Sequence, residues 1–208
     1  MRPRPHSGLF VYHVPSESGA GDRGMDIDKQ NFKKAMRQCA GAVALVTVGT
    51  EPGRRTGLTV TSACSLSDDP PSLLVCVNRN ASAHAPIRDE RFFAVNFLGE
   101  EHTLLALTFS GQNGIIGDDR FAFGRWIGGA TGAPLLEHAV AAFDCVLVQE
   151  FETKTHSVFV GEVRDIRISV EASPLIYLRS SFQSVRDIRV SFALGDLDAR
   201  RQSWSQFS

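Results

Sequence analysis

Glycine and proline punctuate nearly every apolar run of this chain, and that spacing excludes most architectures. Residues 42–48, 72–77, 92–97, 140–150, 157–168 and 175–178 read as strands bounded by such breakers. Asp68-Asp69-Pro70-Pro71 is one of the breaks. Helical spacing is confined to residues 29–38, with Asp28 as N-cap, and residues 101–109. Ser82 can cap a further short turn or helix through Ile87, which Pro86 limits. On the first helix, Phe32, Ala35, Met36 and Cys39 share a face that is expected to pack on the core. Many strands and few βαβ units predict a mainly β fold with short α helices, an antiparallel barrel rather than a doubly wound sheet.

The 208 residues fit one domain with tails: a flexible tail at 1–24, a domain at 25–185 and a C-terminal extension at 186–208. Within the tail, Leu9-Phe10-Val11-Tyr12 has the makings of a short strand, and Met25 is an alternative start. A formal net charge of -1 gives no basic field for nucleic acid or acidic membranes. No apolar run reaches bilayer length, and Arg2 and Arg4 have no apolar segment behind them, so a cytoplasmic protein is expected. Cys39, Cys64, Cys76 and Cys145 are widely spaced, which suits buried free thiols better than zinc or disulfides.

Gly57-Leu58-Thr59-Val60-Thr61-Ser62-Ala63-Cys64-Ser65-Leu66-Ser67 alternates at period two. As a strand it has an apolar face (Leu58, Val60, Cys64, Leu66) interrupted by Ser62, and a face of small, mostly hydroxyl groups. Such a row suits the polar atoms of a flat ligand, or it is a half-exposed strand rich in threonine for its β propensity. Other chemistries lack their motifs. Residues 49–56 have neither the glycine spacing nor the lysine of a phosphate loop, and no G-x-G-x-x-G or G-x-S-x-G occurs. The six histidines form no zinc-peptidase pair, and Asp118-Asp119 reads as a solvated loop, so no metal is expected.

From about Phe32 to Phe182 an ordered set of pieces resembles the flavin reductase-like family, the FMN-binding split barrel, whose antiparallel strands have a Greek-key-like order. The pieces are Phe32-x-x-Ala35-Met36, Val46-Thr47-Val48, the hydroxyl strand, Pro70-Pro71, Asn78-Arg79-Asn80-Ala81-Ser82, Phe93-Ala94-Val95-Asn96 and Phe109-Ser110-Gly111. Asp119-Arg120-Phe121, Gly132-Ala133-Pro134-Leu135, Cys145, the segment from His156 to Val163 and Pro174-Leu175-Ile176-Tyr177 follow. Within the family the chain is most similar to reductase components of two-component monooxygenases. Asp119-Arg120-Phe121-x-x-x-Arg125-Trp126 resembles the branch serving Rut pyrimidine degradation.

The resemblance implies a homodimer that uses NADH or NADPH to reduce FMN, or FAD, for a partner monooxygenase, by hydride transfer from nicotinamide C4 to flavin N5. A resident-flavin oxidase or oxygenase and a non-enzymatic flavin-binding protein are the alternatives. By the same resemblance Thr59, Val60, Thr61, Ser62, Ala63, Ser65 and Leu66 line the flavin. Ser82, between Ala81 and Ala83, meets its phosphate, a role that a helix N-terminus would favour independently. Gly111 and Gln112 match a loop that closes on the flavin. His156 matches the catalytic histidine of a Gly-Asp-His motif near the nicotinamide, with Lys154-Thr155 in place of Gly-Asp. Tyr177, Arg179 and Phe182 match the segment over the nicotinamide face.

Overall fold

A computed structural model describes residues 27–169 and 171–185. The first described element is α1 (Lys29–Met36), then β1 (Gly41–Ala42), β2 (Ala44–Val48), β3 (Thr56–Val60), β4 (Ala63–Asp68) and β5 (Pro71–Asn78). Next come α2 (His84–Glu90), β6 (Phe92–Phe97), a 3-10 turn (Glu100–His102) and α3 (Thr103–Phe109). A second 3-10 turn (Gly117–Ala122) precedes β7 (Trp126–Gly128), β8 (Pro134–Leu136), β9 (Ala141–Glu152), β10 (His156–Ile168), β11 (Leu175–Leu178) and β12 (Ser181–Ser184). The expected antiparallel, mainly β architecture is present, and Asp28 caps α1 by accepting from the Gln30 N–H at 3.1 Å.

Seven strands form one sheet in the order β3-β2-β6-β9-β10-β5-β4. β3 and β4 lie at its opposite ends, yet only Thr61 and Ser62 separate them in sequence. In a flat sheet those edges would stand about 29 Å apart, at roughly 4.8 Å per strand. The link between them reaches at most about 11 Å. The sheet therefore has to curl until its edges meet. Bulges at Val148 of β9, opposite Val160 and Gly161, at Arg164 of β10 and at Leu66 of β4 bend the strands locally. Gly161 lets the strands close on each other, for a Cβ there would lie 2.6 Å from Phe93 Cζ and 2.7 Å from Cys145 Cβ.

Two cores share this sheet. Val46, Val75, Phe93, Leu147 and Phe159 fill one face together with Ile87 of α2. Leu45, Leu98, Phe109, Phe121, Leu135 and Leu136 pack on the other, beneath α3 and the β7–β8 hairpin. β2 contributes to both, so all five of its residues are buried, which is why its sequence is apolar without alternation. Where β2, β6 and β8 meet, Asn96 is fully buried and donates to Thr47 Oγ1 at 3.1 Å, while its Oδ1 accepts from the Leu136 N–H at 2.8 Å. Thr47 in turn donates to the Pro134 carbonyl at 2.6 Å.

Several expectations need correction. The apolar face of α1 is not on the core: Phe32 is 58% and Met36 52% exposed, and Ala35 and Cys39 are exposed too. Among the described residues this eight-residue helix buries nothing, and its C-terminal end is tied down through Arg179. The hydroxyl segment is not one strand. It turns at Thr61–Ser62, and the β4 bulge breaks the alternation again, so Cys64 and Leu66 are exposed rather than on a buried face. Among the four free thiols only Cys145 is buried, and burial pushes its pKa up to about 12. Pro86 falls in the first turn of α2, where its missing N–H costs nothing, so the helix continues to Glu90. The readings of residues 1–24 and 186–208, including the strand at Leu9-Phe10-Val11-Tyr12, lie outside the described residues.

Asn96→Ala leaves the Leu136 N–H without its acceptor and Thr47 without its donor. It is expected to cost about 2–3 kcal/mol in urea unfolding, and an unchanged midpoint would show that the cluster does not hold β8 to the sheet.

Candidate functional site

Ser82 follows β5 by four residues and is not the cap of α2; Ala83 occupies that position without a side-chain bond. The Ser82 hydroxyl instead lies 3.0 Å from Thr56 Oγ1 at the start of β3. Ser82 is exposed and Thr56 buried, so Thr56 fixes the hydroxyl from beneath. Among the described residues the N–H groups of Ser82 and Ala83 donate to no protein acceptor. An exposed hydroxyl backed by a buried one, with two N–H groups beside it, fits a phosphate, and the neutrality of these groups fits a ligand that exchanges.

The hydroxyl residues themselves divide by role. Thr59 donates to the Ala106 carbonyl of α3 at 2.7 Å, so its hydroxyl hydrogen is committed to the fold. Ser62 donates to the Cys76 carbonyl at 3.0 Å, and the Cys76 N–H returns a bond to the Ser62 carbonyl at 3.2 Å, anchoring the corner to β5. Val60 is buried in the core, and Ala63 packs against the same core. Thr61, Ser65 and Leu66 are exposed.

Gly111 and Gln112 are exposed just beyond α3, Gly111 with a φ of 78°. Arg120 pins the following loop over β3, donating to the Ile115 carbonyl at 2.9 Å and the Gly57 carbonyl at 2.8 Å. Arg55 adds a second tie by donating to Asp118 at 2.7 Å while its guanidinium lies 4.7 Å from the Phe121 ring centroid. That hydrogen bond from Arg55 holds the Asp118 carboxyl below its usual pKa.

His156 opens β10 opposite Asn78 at the end of β5. The hydroxyl of Thr155 lies 2.9 Å from His156 Nδ1, and Thr153 Oγ1 both accepts from the His156 N–H and donates to its carbonyl. The Lys154-Thr155 turn thus still orients the imidazole, through a neutral hydroxyl. Below it, buried His84 has Nε2 2.8 Å from the hydroxyl of buried Ser157 and 3.8 Å from Glu150 Oε1.

Tyr177 and Phe182 face each other across β11 and β12, with ring centroids 5.3 Å apart. Arg179 sits at the turn between them and donates to Gln38 Oε1 at 3.0 Å. β11 pairs with β1, whose Gly41 presses on Thr61: a Cβ there would be 2.9 Å from Thr61 Cβ. The corner therefore has the Tyr177 hairpin on one side and, through Ser62, Cys76 and Asn78, the His156 turn on the other. These residues line an open face. A cavity of about 180 Å³ beside Thr50, Arg54 and Phe92 and another of about 310 Å³ beside His138 and Glu171 include none of them.

The flavin reductase like domain family matches residues 36–186. The chain belongs to that family. Among its relatives, the FMN reductase (NADH) RutF of Methylorubrum extorquens strain DM4 is 36% identical over 177 residues, 85% of this chain and 83% of the relative. BorF, the flavin reductase component of a bacterial two-component tryptophan halogenase, superposes with a TM-score of 0.70 at 30% identity, over 77% of this chain and all of that one. The Streptomyces globisporus NADH:FAD oxidoreductase SgcE6, solved with NAD and FAD fragments, gives 0.69 at 26% identity over 79% of this chain and 96% of that one. As a flavin reductase family member, the chain has two residues beside this face that sequence reasoning passed over, Thr56 and His84, while Arg120 stood only within the Asp119-Arg120-Phe121 piece. The only sequence signal for Thr56 was its place one residue ahead of the hydroxyl segment.

Burial pushes His84 and His102 below their ordinary pKa of 6.5, with Glu150 and Glu101 respectively opposing the shift. A depressed histidine pKa gives stability that is present above pH 6.5 and lost as pH falls through the folded value. The melting temperature is accordingly expected to drop between pH 7 and pH 5, before carboxylates titrate. A flat profile over that interval would mean that neither ring is held neutral.

Proposed function

We propose that this chain is an NADH-dependent FMN reductase that supplies reduced flavin to a partner monooxygenase. The observation that carries the proposal is the exposed Ser82 hydroxyl paired with buried Thr56 beneath it, in a family-matched chain, beside the turn that orients His156. Bound flavin supplies the hydride chemistry, taking the hydride of nicotinamide C4 at N5. The protein's part is to bind and orient. Ser82, with Thr56 behind it and free N–H groups at Ser82 and Ala83, holds the phosphate. The corner at Thr61 and Ser62, with Ala63, Ser65 and Leu66, supports the ribityl chain and ring. Gly111 and Gln112 cover it from the loop that Arg120 secures.

His156 and the Tyr177–Phe182 pair form the nicotinamide side, with Arg179 near a dinucleotide phosphate. Thr155 holds His156 Nδ1, which leaves Nε2 to meet the carboxamide or a proton. The groups assigned to the flavin are uncharged, which favours release of the product over retention. No described helix is long and apolar enough to cross a membrane, and we place the protein in the cytoplasm.

We further propose a homodimer formed on the outer face of β4, β5, β10 and β9. Phe151, Val158 and Cys76 form one row there, and Gln149, Val160, Leu74 and Cys64 the next. Phe151 is 52% exposed, and Val148 and Leu66 are exposed beside these rows, an apolar set that a monomer leaves in water. A second copy on this face also converts the open flavin surface into a cleft.

NADH oxidation by the purified protein should rise with added FMN, and Ser82→Asp should raise the KM for FMN at least tenfold by setting a carboxylate against the phosphate. Flavin that co-elutes in gel filtration without NADH consumption would favour the non-enzymatic alternative; turnover that ignores added FMN would favour a resident-flavin oxidase. Phe151→Asp should yield a monomer by light scattering, and a persistent dimer would move the interface elsewhere.

A further inference from the structure

His84 is a buried polar ring between the two halves of the proposed site, and no role assigned so far uses it. Two residues before it stands Ser82, and its Nε2 reaches Ser157, the residue after His156. The contact spans 73 residues of sequence and joins α2 to β10. Glu150 lies on the same side of the ring, with Oε1 3.8 Å from Nε2 and without a hydrogen-bond partner among the described residues. Its other oxygen forms an ion pair with Arg88, 3.1 Å from Nε, and Arg88 and Arg79 both approach Glu152, so charges of both signs flank the ring. The His84 ring also lies 5.3 Å from Phe159, centroid to centroid, in the apolar core.

An unpaired carboxylate oxygen beside Nε2 disfavours a lone pair there and favours a hydrogen. The neutral ring therefore carries its proton on Nε2 and donates to Ser157 Oγ. We propose that His84 is a positioning residue: through Ser157 it fixes the Ser82 segment and the His156 turn at one separation, so that the flavin phosphate seat and the nicotinamide side form a single rigid unit. A second tie runs parallel to it, the Arg79 N–H donating to the Thr155 carbonyl at 3.0 Å. That bond fixes the turn to the end of β5. From α2 the His84 bond is the buried link, beside the exposed Arg88–Glu152 ion pair at 3.5 Å.

The proposal rests on the reductase assignment of Ser82 and His156, and its signature is a cross-effect. Ser157→Ala, beside His156, should raise the KM for FMN about fivefold or more. His84→Leu, on the Ser82 side, should lower kcat by a similar factor, as expected for losing one buried hydrogen bond. The double variant should be no worse than the worse single one, because both remove the same bond. His84→Gln, which keeps an N–H of similar reach, should recover at least half of the lost activity. In imidazole-selective NMR the wild type should show a slowly exchanging Nε2–H that Ser157→Ala loses.

A Ser157→Ala protein that is folded by circular dichroism and changes only kcat, or changes nothing, overturns the link. Multiplicative losses in the double variant, or an Nδ1–H tautomer in the wild type, do the same. Ser157→Ala removes one oxygen and is measured first, so a His84→Leu protein that fails to fold leaves the KM and NMR arms intact. A wild type that shows the Nε2–H but consumes no NADH with FMN overturns the reductase assignment and leaves the His84–Ser157 bond standing.

Discussion

The two residues between β3 and β4 impose the shape of everything else. A seven-stranded sheet has two edges, and a link this short forces them together whatever the side chains prefer. Once the edges meet, one face of the sheet becomes an interior that Phe93, Phe159 and Val75 can fill, and Ile87 of α2 adds to it at one end. The other face needs separate cover, which α3 and the β7–β8 hairpin supply. Closure by covalent chain rather than by a hydrogen-bonded ladder also leaves backbone groups of β3 and β4 without a strand partner at the seam. Such a seam offers donors and acceptors to the ligand that we propose for this face.

Buried polar groups fix the cover in place. Asn96 and Thr47 are wholly enclosed, and their bonds join β6 to β2 within the sheet and reach out to β8. Asp144, equally buried, accepts from both the N–H and the hydroxyl of Thr131 at 2.6 Å and so shapes the turn of the β7–β8 hairpin. His84 does the corresponding work on α2. In each case an apolar replacement would fill space but lose direction, and direction is what sets a site.

Much of this was legible in the chain itself. The bounds of β6 and β11 follow from their apolar residues, and the long β9–β10 hairpin from its two runs and short connection. The corner was not, because Thr61 and Ser62 carry neither glycine nor proline and the period of two passes straight through them. Local signals also mistook the face of α1, whose spacing is amphipathic while its side chains touch no core. The contacts of Thr56 with Ser82, Arg120 with Gly57 and His84 with Ser157 bridge 26, 63 and 73 residues. No window of sequence contains both partners. The family resemblance supplied what periodicity could not, an ordered set of pieces spread over most of the chain.

The exposure of the corner has a consequence for how the protein comes apart. Thr61 and Ser62 are both open to solvent, and the bond between them is the covalent strap of the whole curl. A single proteolytic cut there would free β3 to peel from β2 and β4 from β5 with no other strand to hold either outer edge. A ligand or a second chain lying across that seam would shield this bond, so occupancy of the face and resistance to cleavage at one peptide bond are two measures of the same contact.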